Sequence, residues 1–275
     1  GDLVTWAIYA SDPHSPLSLR GIPQKAADLF KYGHEKVTPE NHLHGGLAAF
    51  CLLRPHTPTV RIQEDVPLPL IALINCSVAT VAGGLRLAGP LTGKTILVSG
   101  AGMLGLVACA MSRTRGAGRI LVVDVDEGRL DKSSRFGADA TLNLAECGKT
   151  AFRQLKELAG CGKVDLAFDF SGEPSAMELA LQVLGVGGSA IWIGATFPQR
   201  DISVNAERIV RGIHTIKGLH NYNEDDLVDA VGFMETHHQT FPFSDLVHDG
   251  FPLEKVNEAF AFALSSNVHR VGIRL

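Results

Sequence analysis

The stretch 95–124 constrains the fold more than any other part of this 275-residue chain. An apolar, β-branched run at 95–99 leads into a glycine-rich turn, then an apolar run of helical character, then a second apolar run that ends in Asp124. This order predicts strand, turn, helix and strand. The first glycine of such a unit permits a sharp turn, the second lets a diphosphate approach the backbone, and the third lets the helix pack closely on the sheet. These glycines are Gly100, Gly102 and Gly105.

The same unit predicts a dinucleotide cofactor. The helix after the turn presents unpaired N–H groups and a partial positive charge to phosphates. Asp124 follows Gly105 by about twenty residues, the separation expected for an acid that hydrogen-bonds the adenosine ribose. A carboxylate there repels a 2′-phosphate, so NAD is favoured over NADP. The alternative is a glycine turn in another kind of α/β protein, but here the whole unit matches and not the glycines alone.

Strands and helices alternate from residue 95 to about residue 219, a pattern typical of a parallel, doubly wound sheet of the Rossmann type. A helix is predicted at 174–184, with the glycine-rich segment 185–188 marking its end. The fold class is therefore predicted to be α/β. Beyond the glycine unit, the predicted strands lie at 164–170, 190–194 and 214–219.

The segments before residue 95 and after residue 219 do not continue this alternation of strands and helices. Residues 1–70 hold short β-like runs separated by proline, glycine, histidine and serine, which predict an irregular, mostly β region. These runs lie at 3–9, 47–53 and 59–62. The remaining predicted elements are helices at 70–87, 224–236 and 253–265 and a final strand at 270–275.

Composition narrows the possible functions. Apolar residues make up 45% of the chain and charged residues 20%, as in ordinary globular proteins. The net charge of −4 gives no electrostatic reason to expect a nucleic acid or an anionic membrane as partner. No uncharged apolar run of about 18 residues is expected, hence no transmembrane span. The five cysteines are odd in number and form no Cys-x-x-Cys pair, which favours a reducing cytoplasm over a disulfide framework.

Several segments outside the glycine unit, taken together, form a set that is typical of a known protein family. They are Gly1-Asp2-Leu3-Val4, Gly45-Gly46-Leu47-Ala48-Ala49-Phe50, Asn75-Cys76-Ser77-Val78-Ala79-Thr80, Gly137-Ala138-Asp139 and the ending 251–260. The set resembles the medium-chain dehydrogenase/reductase superfamily, in its zinc-dependent alcohol dehydrogenase branch, along the whole chain. Within that branch, segments 21–25 and 30–35 look most like alcohol dehydrogenases linked with phosphonate catabolism.

The resemblance implies two domains. A partial, mostly β, GroES-like catalytic domain is expected at 1–77 and 221–275, and a Rossmann dinucleotide-binding domain at 78–220. In this family a further segment precedes the Gly-Asp-x-Val strand and carries two of the catalytic zinc ligands. We therefore expect the chain to be truncated at its N-terminus and to be inactive in this form.

The resemblance makes Cys76 the third catalytic zinc ligand, because a thiolate suits zinc and catalytic sites use three protein ligands. From the residues alone, the alternative is a small buried cysteine at the start of a helix. Without its two partner ligands, Cys76 is not expected to hold zinc in this chain. His34 in Gly33-His34-Glu35 is interpreted as a loop histidine, because it lies downstream of the Gly-Asp-x-Val strand whereas the ligand-bearing copy lies upstream.

The family's structural zinc is not expected in this chain. Serine is a poor zinc ligand and alanine is none, so a closed tetrahedral site cannot form from what the chain offers. A loose loop is predicted at 10–26 instead. The residues that stand at the four cysteine positions of the family are Asp12, Ser15, Ser18 and Ala26.

The resemblance also assigns cofactor contacts. Backbone N–H groups of Met103 and Leu104 face the pyrophosphate, and Arg270 binds it with a guanidinium whose geometry suits phosphate. The alternatives are core packing for the aliphatic residues and a surface salt bridge for Arg270. The remaining contacts are Val125 and Arg129 beside Asp124 at the adenosine end, Phe170 and Ser171 flanking the ribose, Thr80 touching the nicotinamide, and Ile193 and Leu219 near its carboxamide.

Segments 201–204 and 213–217 resemble the edge elements through which this family extends a sheet across two subunits. A homodimer is therefore expected. Polar edge residues that blunt strand pairing are the alternative reading of the same segments.

Three functions are compatible with these observations. The first is an oxidoreductase that transfers a hydride between a small-molecule alcohol and NAD, with catalytic zinc in the intact protein. The second is a zinc-free, NADPH-dependent reductase of the same superfamily, against which Asp124 argues. The third is a non-catalytic NAD-binding fragment, which the missing structural cysteines favour. No catalytic acid or base is assigned in this chain.

Overall fold

The computed structural model describes residues 1–63, 65–160 and 162–275; Cys161, one of the five cysteines, lies outside them. The chain forms two compact units, Gly1–Ala79 with Asn221–Leu275, and Thr80–His220. Its strands are β1 (Val4–Trp6), β2 (Tyr9–Ala10), β3 (Phe30–Lys31), β4 (Thr59–Arg61), β5 (Thr95–Ser99), β6 (Arg119–Asp124), β7 (Ala140–Asn143), β8 (Val164–Asp169), β9 (Leu184–Trp192), β10 (Thr215–Gly218), β11 (Val247–Pro252) and β12 (Arg270–Arg274).

The helices are distributed over the same two units. Short 3₁₀ segments lie at Pro23–Lys25, Gly148–Thr150, Phe243–Leu246 and Leu253–Lys255, and a π-helical turn lies at Ile74–Val78. The α-helices are α1 (Leu68–Leu73), α2 (Ala79–Ala88), α3 (Met103–Thr114), α4 (Glu127–Arg135), α5 (Leu144–Cys147), α6 (Ala151–Leu158), α7 (Pro174–Val183), α8 (Ala206–Gly212), α9 (Glu224–His237) and α10 (Val256–Ser265).

The unit Thr80–His220 is built on a six-stranded parallel sheet with the strand order β10-β9-β8-β5-β6-β7. Every residue of β5 is buried, which is the reason its sequence is a continuous apolar run rather than an alternating one. The chain passes from β5 to β6 on one side and later returns to β8 on the other side of β5. The predicted α/β, Rossmann-type sheet is confirmed, and its order reverses between β5 and β8.

In the other unit, the described strands form two-stranded pairs. β1 pairs with β4 and β2 with β3, both antiparallel, and β11 pairs in parallel with β12 across a register shift. Helix α9 begins with a capping box, in which the Asn223 side chain accepts from the Asp226 N–H and the Asp226 carboxylate accepts from the Asn223 N–H.

Two predicted boundaries are wrong. Residues 47–53 form no strand; Phe50 is 79% exposed and Leu52 65% exposed, because this apolar run has no neighbouring strand against which to pack. Helix α7 ends at Val183, just before the glycine-rich segment 185–188 as predicted, but the next strand begins at Leu184 and not at residue 190. The glycine-rich segment belongs to β9, which pairs with β8 across a register shift between Val164 and Leu166.

The prediction that the chain has no apolar run of membrane-spanning length is wrong for the continuous helical stretch Leu68–Ala88. By length and composition it is apolar enough to cross a membrane, although no such run was expected. Of its most apolar window, 67% is buried inside the protein, as in the core helix of a folded domain. Proline occurs in this stretch only in its first turn, where it does not interrupt the helix.

The segment after β9 is anchored to α7 by one carboxylate. The Arg200 guanidinium donates to both oxygens of Glu178, at 2.7 and 3.0 Å, and the Ser203 N–H donates to the same carboxylate at 2.7 Å. Arg200, and next the Ser203 N–H, lower the pKa of Glu178 from 4.5 to about 2. A lowered pKa means that the folded chain prefers ionised Glu178.

This anchor is expected to be released in acid. Its contribution is fully present above pH 4.5 and is lost as the pH falls through about 2, where Glu178 takes up a proton in the folded chain. Hydrogen exchange of the Ser203 N–H should therefore accelerate across that window beyond its intrinsic dependence on pH. The Glu178→Gln variant should show fast exchange at neutral pH already, and equal protection of Ser203 in both proteins would contradict the assignment.

Candidate functional site

The three glycines of the turn after β5 differ in what a side chain at each position would meet. Gly100 has a φ of +98°, and a Cβ there would lie 3.0 Å from the Ser171 nitrogen. A Cβ on Gly105 would overlap the Gly100 carbonyl oxygen, so α3 packs against the turn at the closest possible approach. A Cβ on Gly102 would meet nothing within 4 Å. The middle glycine therefore faces open space, where another molecule can approach the backbone.

The first turn of α3 presents its backbone at this open space. Gly102 is the N-cap residue of α3 and supplies no side-chain cap. The N–H groups at the start of a helix carry a partial positive charge and suit phosphate oxygens. Met103 is 4% exposed and Leu104 is half-buried, so their backbone N–H groups rather than their side chains are the chemically relevant atoms.

The Asp124 carboxylate is turned toward the glycine turn. One of its oxygens accepts from the Ala101 N–H at 2.6 Å, and the other accepts from the Val125 and Asp126 N–H groups at 2.7 and 3.1 Å. The structure thus brings Asp124 together with the turn 100–105, although they are separated in sequence. Val125 is 66% exposed, and Arg129 is exposed on α4 with its backbone N–H donating to Asp126.

The end of β8 lies against the same turn. The Phe170 N–H donates to the Ser99 carbonyl at 2.8 Å, and the Ser171 nitrogen is the atom that a Cβ on Gly100 would touch. Phe170 and Ser171 are therefore placed beside Gly100, where the strand order reverses. Ligands of open α/β sheets bind in the crevice at such a reversal.

Asp169 is a site residue that the sequence reasoning missed. Its side chain is only 2% exposed and accepts from the Ser171 hydroxyl at 2.6 Å and from the Gly172 N–H at 3.1 Å. Burial raises the pKa of this carboxyl, and the hydrogen bonds from Ser171, Gly172 and Gly194 lower it. Asp169 fixes the loop after β8. An acid at the end of an apolar strand, followed by Ser171-Gly172, was the signal available in the sequence.

The predicted nicotinamide contacts lie farther along the sheet. Ile193 is 5% exposed and its N–H donates to the Asp169 carbonyl at 3.0 Å, while the Leu219 N–H donates to the Trp192 carbonyl at 2.9 Å. Both N–H groups are thus used within the sheet region, and core packing accounts for the burial of Ile193. Thr80 is half-buried in α2.

Cys76 and Arg270 belong to the other unit. Cys76 is exposed within the π-helical turn Ile74–Val78, so the alternative of a buried structural cysteine is wrong. Arg270 donates to the Ser77 hydroxyl at 3.1 Å and to the His269 carbonyl at 2.8 Å. The fully buried Tyr222 hydroxyl donates to the Asn75 carbonyl and accepts from the Ile8 N–H at 3.2 Å. The turn that carries Cys76 is therefore fastened on its N-terminal side by Tyr222.

The described residues offer no group of three or more His, Cys, Asp or Glu side chains that could hold a metal ion. The segment 10–26 is a series of hydrogen-bonded turns rather than a loose loop; the Ser15 and Ser18 hydroxyls lie 2.8 Å apart, and a 3₁₀ segment closes it at Pro23–Lys25. His34 lies exposed in a turn, and its Nδ1 is 3.0 Å from the Tyr32 carbonyl.

Comparison with known proteins places this fold in a class. A family described as "Zinc-binding dehydrogenase" matches residues 104–236. The chain is 29% identical to Alcohol dehydrogenase-like 2 of Arabidopsis thaliana over 212 residues, which are 76% of this chain and 54% of that protein. It is 29% identical to L-threonine 3-dehydrogenase of Saccharopolyspora erythraea over 230 residues, 84% of this chain and 64% of that protein.

A solved alcohol dehydrogenase from Thermotoga maritima shares the fold, with a TM-score of 0.91 at 24% identity over 100% of this chain and 76% of that one. The sheet, the glycine turn at its reversal point and these matches define a Rossmann-type dehydrogenase fold. The chain is similar to zinc-dependent dehydrogenases of the medium-chain dehydrogenase/reductase family. It spans 54% and 64% of the length of the two relatives named above.

Proposed function

We propose that this chain binds NAD and forms the cofactor-binding part of an alcohol dehydrogenase. The observation that carries the proposal is the Asp124 carboxylate held against the glycine turn, 2.6 Å from the Ala101 nitrogen. In that position a carboxylate can accept hydrogen bonds from ribose hydroxyls, and it would repel the 2′-phosphate of NADP. We also infer that the two compact units are the partial catalytic domain and the dinucleotide-binding domain, in a cytoplasmic protein.

The residues around the turn fit the cofactor by size and by charge. The open space at Gly102 and the uncapped start of α3 suit a pyrophosphate, with Met103 and Leu104 donating through their backbone. When bound, NAD would supply the acceptor for a hydride from an alcohol carbon, and the chain would bind and orient it. The other residues proposed to contact NAD are Thr80, Gly100, Gly105, Val125, Arg129, Phe170, Ser171, Ile193, Leu219 and Arg270.

Cofactor choice tests the proposal directly. Wild-type chain should bind NADH more tightly than NADPH in a fluorescence titration. The Asp124→Asn variant should lose about tenfold in NADH affinity and gain in relative affinity for NADPH, because it loses a charge-assisted acceptor and its repulsion of phosphate.

The matched control is Asp131→Asn, which removes the same charge from an exposed position on α4 and should leave both affinities unchanged. Tighter binding of NADPH by the wild type would favour the zinc-free reductase instead. Binding of neither dinucleotide would overturn the proposal.

We propose Cys76 as the zinc ligand that this chain contributes. Its exposed thiol is chemically suited to zinc, but the described residues do not add the two further ligands that a catalytic site needs. No step of the reaction is therefore derived through zinc. We expect no alcohol turnover by this chain with or without added zinc, and measurable zinc-dependent turnover would contradict that expectation.

A homodimer through the edge of the parallel sheet is also proposed. β10 is the last strand on its side of the sheet, and exposed apolar side chains accompany it: Val210 is 75% exposed and Ile213 is 72% exposed. An exposed strand edge is a template for pairing with another chain. The segment 201–204 is irregular here and is held by Glu178, so β10 and α8 carry this proposal.

The Ile213→Asp substitution should convert the dimer to a monomer in size-exclusion chromatography with light scattering. Ile213 has a φ of +53°, a conformation that aspartate adopts more readily than isoleucine, so the fold should tolerate the change. The control is Val228→Asp, at an apolar residue that is 52% exposed on α9. A wild-type chain that is monomeric at every concentration would exclude the dimer.

A further inference from the structure

Asp169, the last residue of β8, joins the loops that follow two neighbouring strands of the parallel sheet. Its carboxylate accepts from the Ser171 hydroxyl at 2.6 Å and from the Gly172 N–H at 3.1 Å, within the loop after β8. Its backbone carbonyl accepts from the Ile193 and Gly194 N–H groups, both at 3.0 Å, directly after β9. One buried residue therefore sets the position of both loops relative to the sheet.

The two loops touch through their backbones. Gly172 has a φ of +69°, and a Cβ there would lie 2.6 Å from the Gly194 carbonyl oxygen. A Cβ on Gly194 would in turn overlap the Gly172 nitrogen. The loop after β8 also lies against the glycine turn, since a Cβ on Gly100 would lie 3.0 Å from the Ser171 nitrogen. Contacts this close leave little room for adjustment, so a shift of the loop after β8 would also move its neighbours.

Both oxygens of the Asp169 carboxylate are used. Oδ1 accepts from the Ser171 hydroxyl and from the Ser171 and Gly172 N–H groups, and Oδ2 accepts from the Gly172 N–H. An amide has only one acceptor oxygen, and its NH₂ group would face the Gly172 N–H, donor against donor. The side chain is 2% exposed, so water cannot compensate. An asparagine at this position would therefore not hold the loop in the same way.

The position of Asp169 in the sheet indicates which half of a dinucleotide these loops border. Asp124 ends β6 on one side of β5, and Asp169 ends β8 on the other side. A dinucleotide lies across the crevice at such a reversal, with one mononucleotide half on each side. Because the adenosine half is assigned to Asp124, the nicotinamide half falls to the loops after β8 and β9.

We propose that Asp169 is a positioning residue for the nicotinamide half of the cofactor, an inference that rests on the proposed binding of NAD. Asp169 is buried and acts through the backbones of the two loops, without touching the cofactor itself. The position of these loops decides whether the nicotinamide and its ribose fit the crevice. Binding of the adenosine half, on the other side of β5, does not depend on Asp169.

The Asp169→Asn variant should separate the two halves of the cofactor. Isothermal titration calorimetry should give an NADH affinity about tenfold or more below that of the wild type, and an AMP affinity within about twofold of the wild type. NADH affinity falls because the displaced loops no longer fit the nicotinamide. At saturating NADH, the emission of the reduced nicotinamide reports the surroundings of that ring alone, and in the variant it should approach the emission of free NADH.

Asp226→Asn is the matched control. Asp226 is also 2% exposed, and its carboxylate also accepts from a backbone N–H, so the substitution has a comparable structural cost. It caps α9 in the other compact unit, however, and both affinities should remain those of the wild type.

A measurement on the wild type does not depend on how well a variant folds. Saturating NADH should slow hydrogen exchange of the Gly172 and Gly194 N–H groups at least about tenfold more than saturating AMP does. Equal protection by the two ligands would overturn this inference, as would unchanged NADH affinity or equal losses of NADH and AMP affinity in Asp169→Asn. A wild-type chain that binds no NADH would instead overturn the proposed function, and this inference with it.

Discussion

The Gly105→Ala substitution is expected to lower the free energy of unfolding by about 3 kcal/mol or more and to abolish NADH binding. A Cβ at this position would overlap the Gly100 carbonyl oxygen and would lie 3.0 Å from its carbonyl carbon. These are backbone atoms, so no side chain can rotate to make room. Helix α3 would have to move away from β5 and the turn. Urea denaturation followed by circular dichroism measures the loss.

The neighbouring Gly102→Ala substitution should separate folding from binding. A Cβ there meets nothing within 4 Å, and the residue has a φ of −73°, so the free energy of unfolding should change by less than about 1 kcal/mol. The added methyl group would nevertheless occupy the space through which a pyrophosphate approaches, and NADH affinity should fall about tenfold or more.

Gly232, which lies outside the turn, provides the control for the Gly102→Ala and Gly105→Ala substitutions. Gly232 lies exposed in α9, and a Cβ there would meet nothing within 4 Å, so Gly232→Ala should raise stability by about 0.5–1 kcal/mol and leave NADH binding unchanged. Equal stability of Gly105→Ala and Gly102→Ala would contradict the close contact between α3 and the turn. Normal NADH binding by Gly102→Ala would contradict the position proposed for the pyrophosphate.

The sheet of the Thr80–His220 unit could be predicted because its local and long-range signals agree. β5 is buried on both faces, its turn needs glycine at positions 100 and 105, and Asp124 ends the next strand. Each signal lies within one short stretch of sequence, and all of them specify the same parallel arrangement. The position of Asp124 beside the turn followed from that arrangement.

Other features depend on contacts between distant residues and could not be predicted in this way. The run at 3–9 was predicted to be β-like, but the pairing of Val4 and Trp6 with Arg61 and Thr59, which fixes β1, depends on residues far along the chain. The run 47–53 has strand-like composition and no partner, so it stays irregular. The carboxylate of Asp169 becomes important only because the loop after β8 folds back over it.

The π-helical turn around Cys76 is the clearest case of such a dependence. Nothing in the sequence Asn75-Cys76-Ser77 indicates a wider helical turn, and the pattern of the segment predicts an ordinary helix. Its geometry is accompanied by a hydrogen bond from Tyr222, far along the chain, to the Asn75 carbonyl. Single π-helical turns inside α-helices are frequent at functional sites. The turn thus places an exposed thiol on an otherwise largely buried helical stretch.

The Tyr222→Phe substitution is accordingly expected to lower the free energy of unfolding by about 2–4 kcal/mol. It removes the donor to the Asn75 carbonyl and the acceptor of the Ile8 N–H, and the residue is fully buried, so water does not replace the hydroxyl. Urea denaturation gives the free energy, and hydrogen exchange of the amides at 74–78 should accelerate more than exchange elsewhere in the same unit.

Tyr9→Phe is the matched control for this prediction, because the two tyrosines are both buried and their rings lie 6.4 Å apart. The Tyr9 hydroxyl has no partner in the described part of the chain, so its removal should leave the free energy of unfolding unchanged or raise it by up to about 1 kcal/mol. The same chemical change would therefore destabilise the protein at Tyr222 and not at Tyr9. Similar losses of stability in both variants would show that burial of the ring, and not the hydrogen bonds of Tyr222, determines the effect.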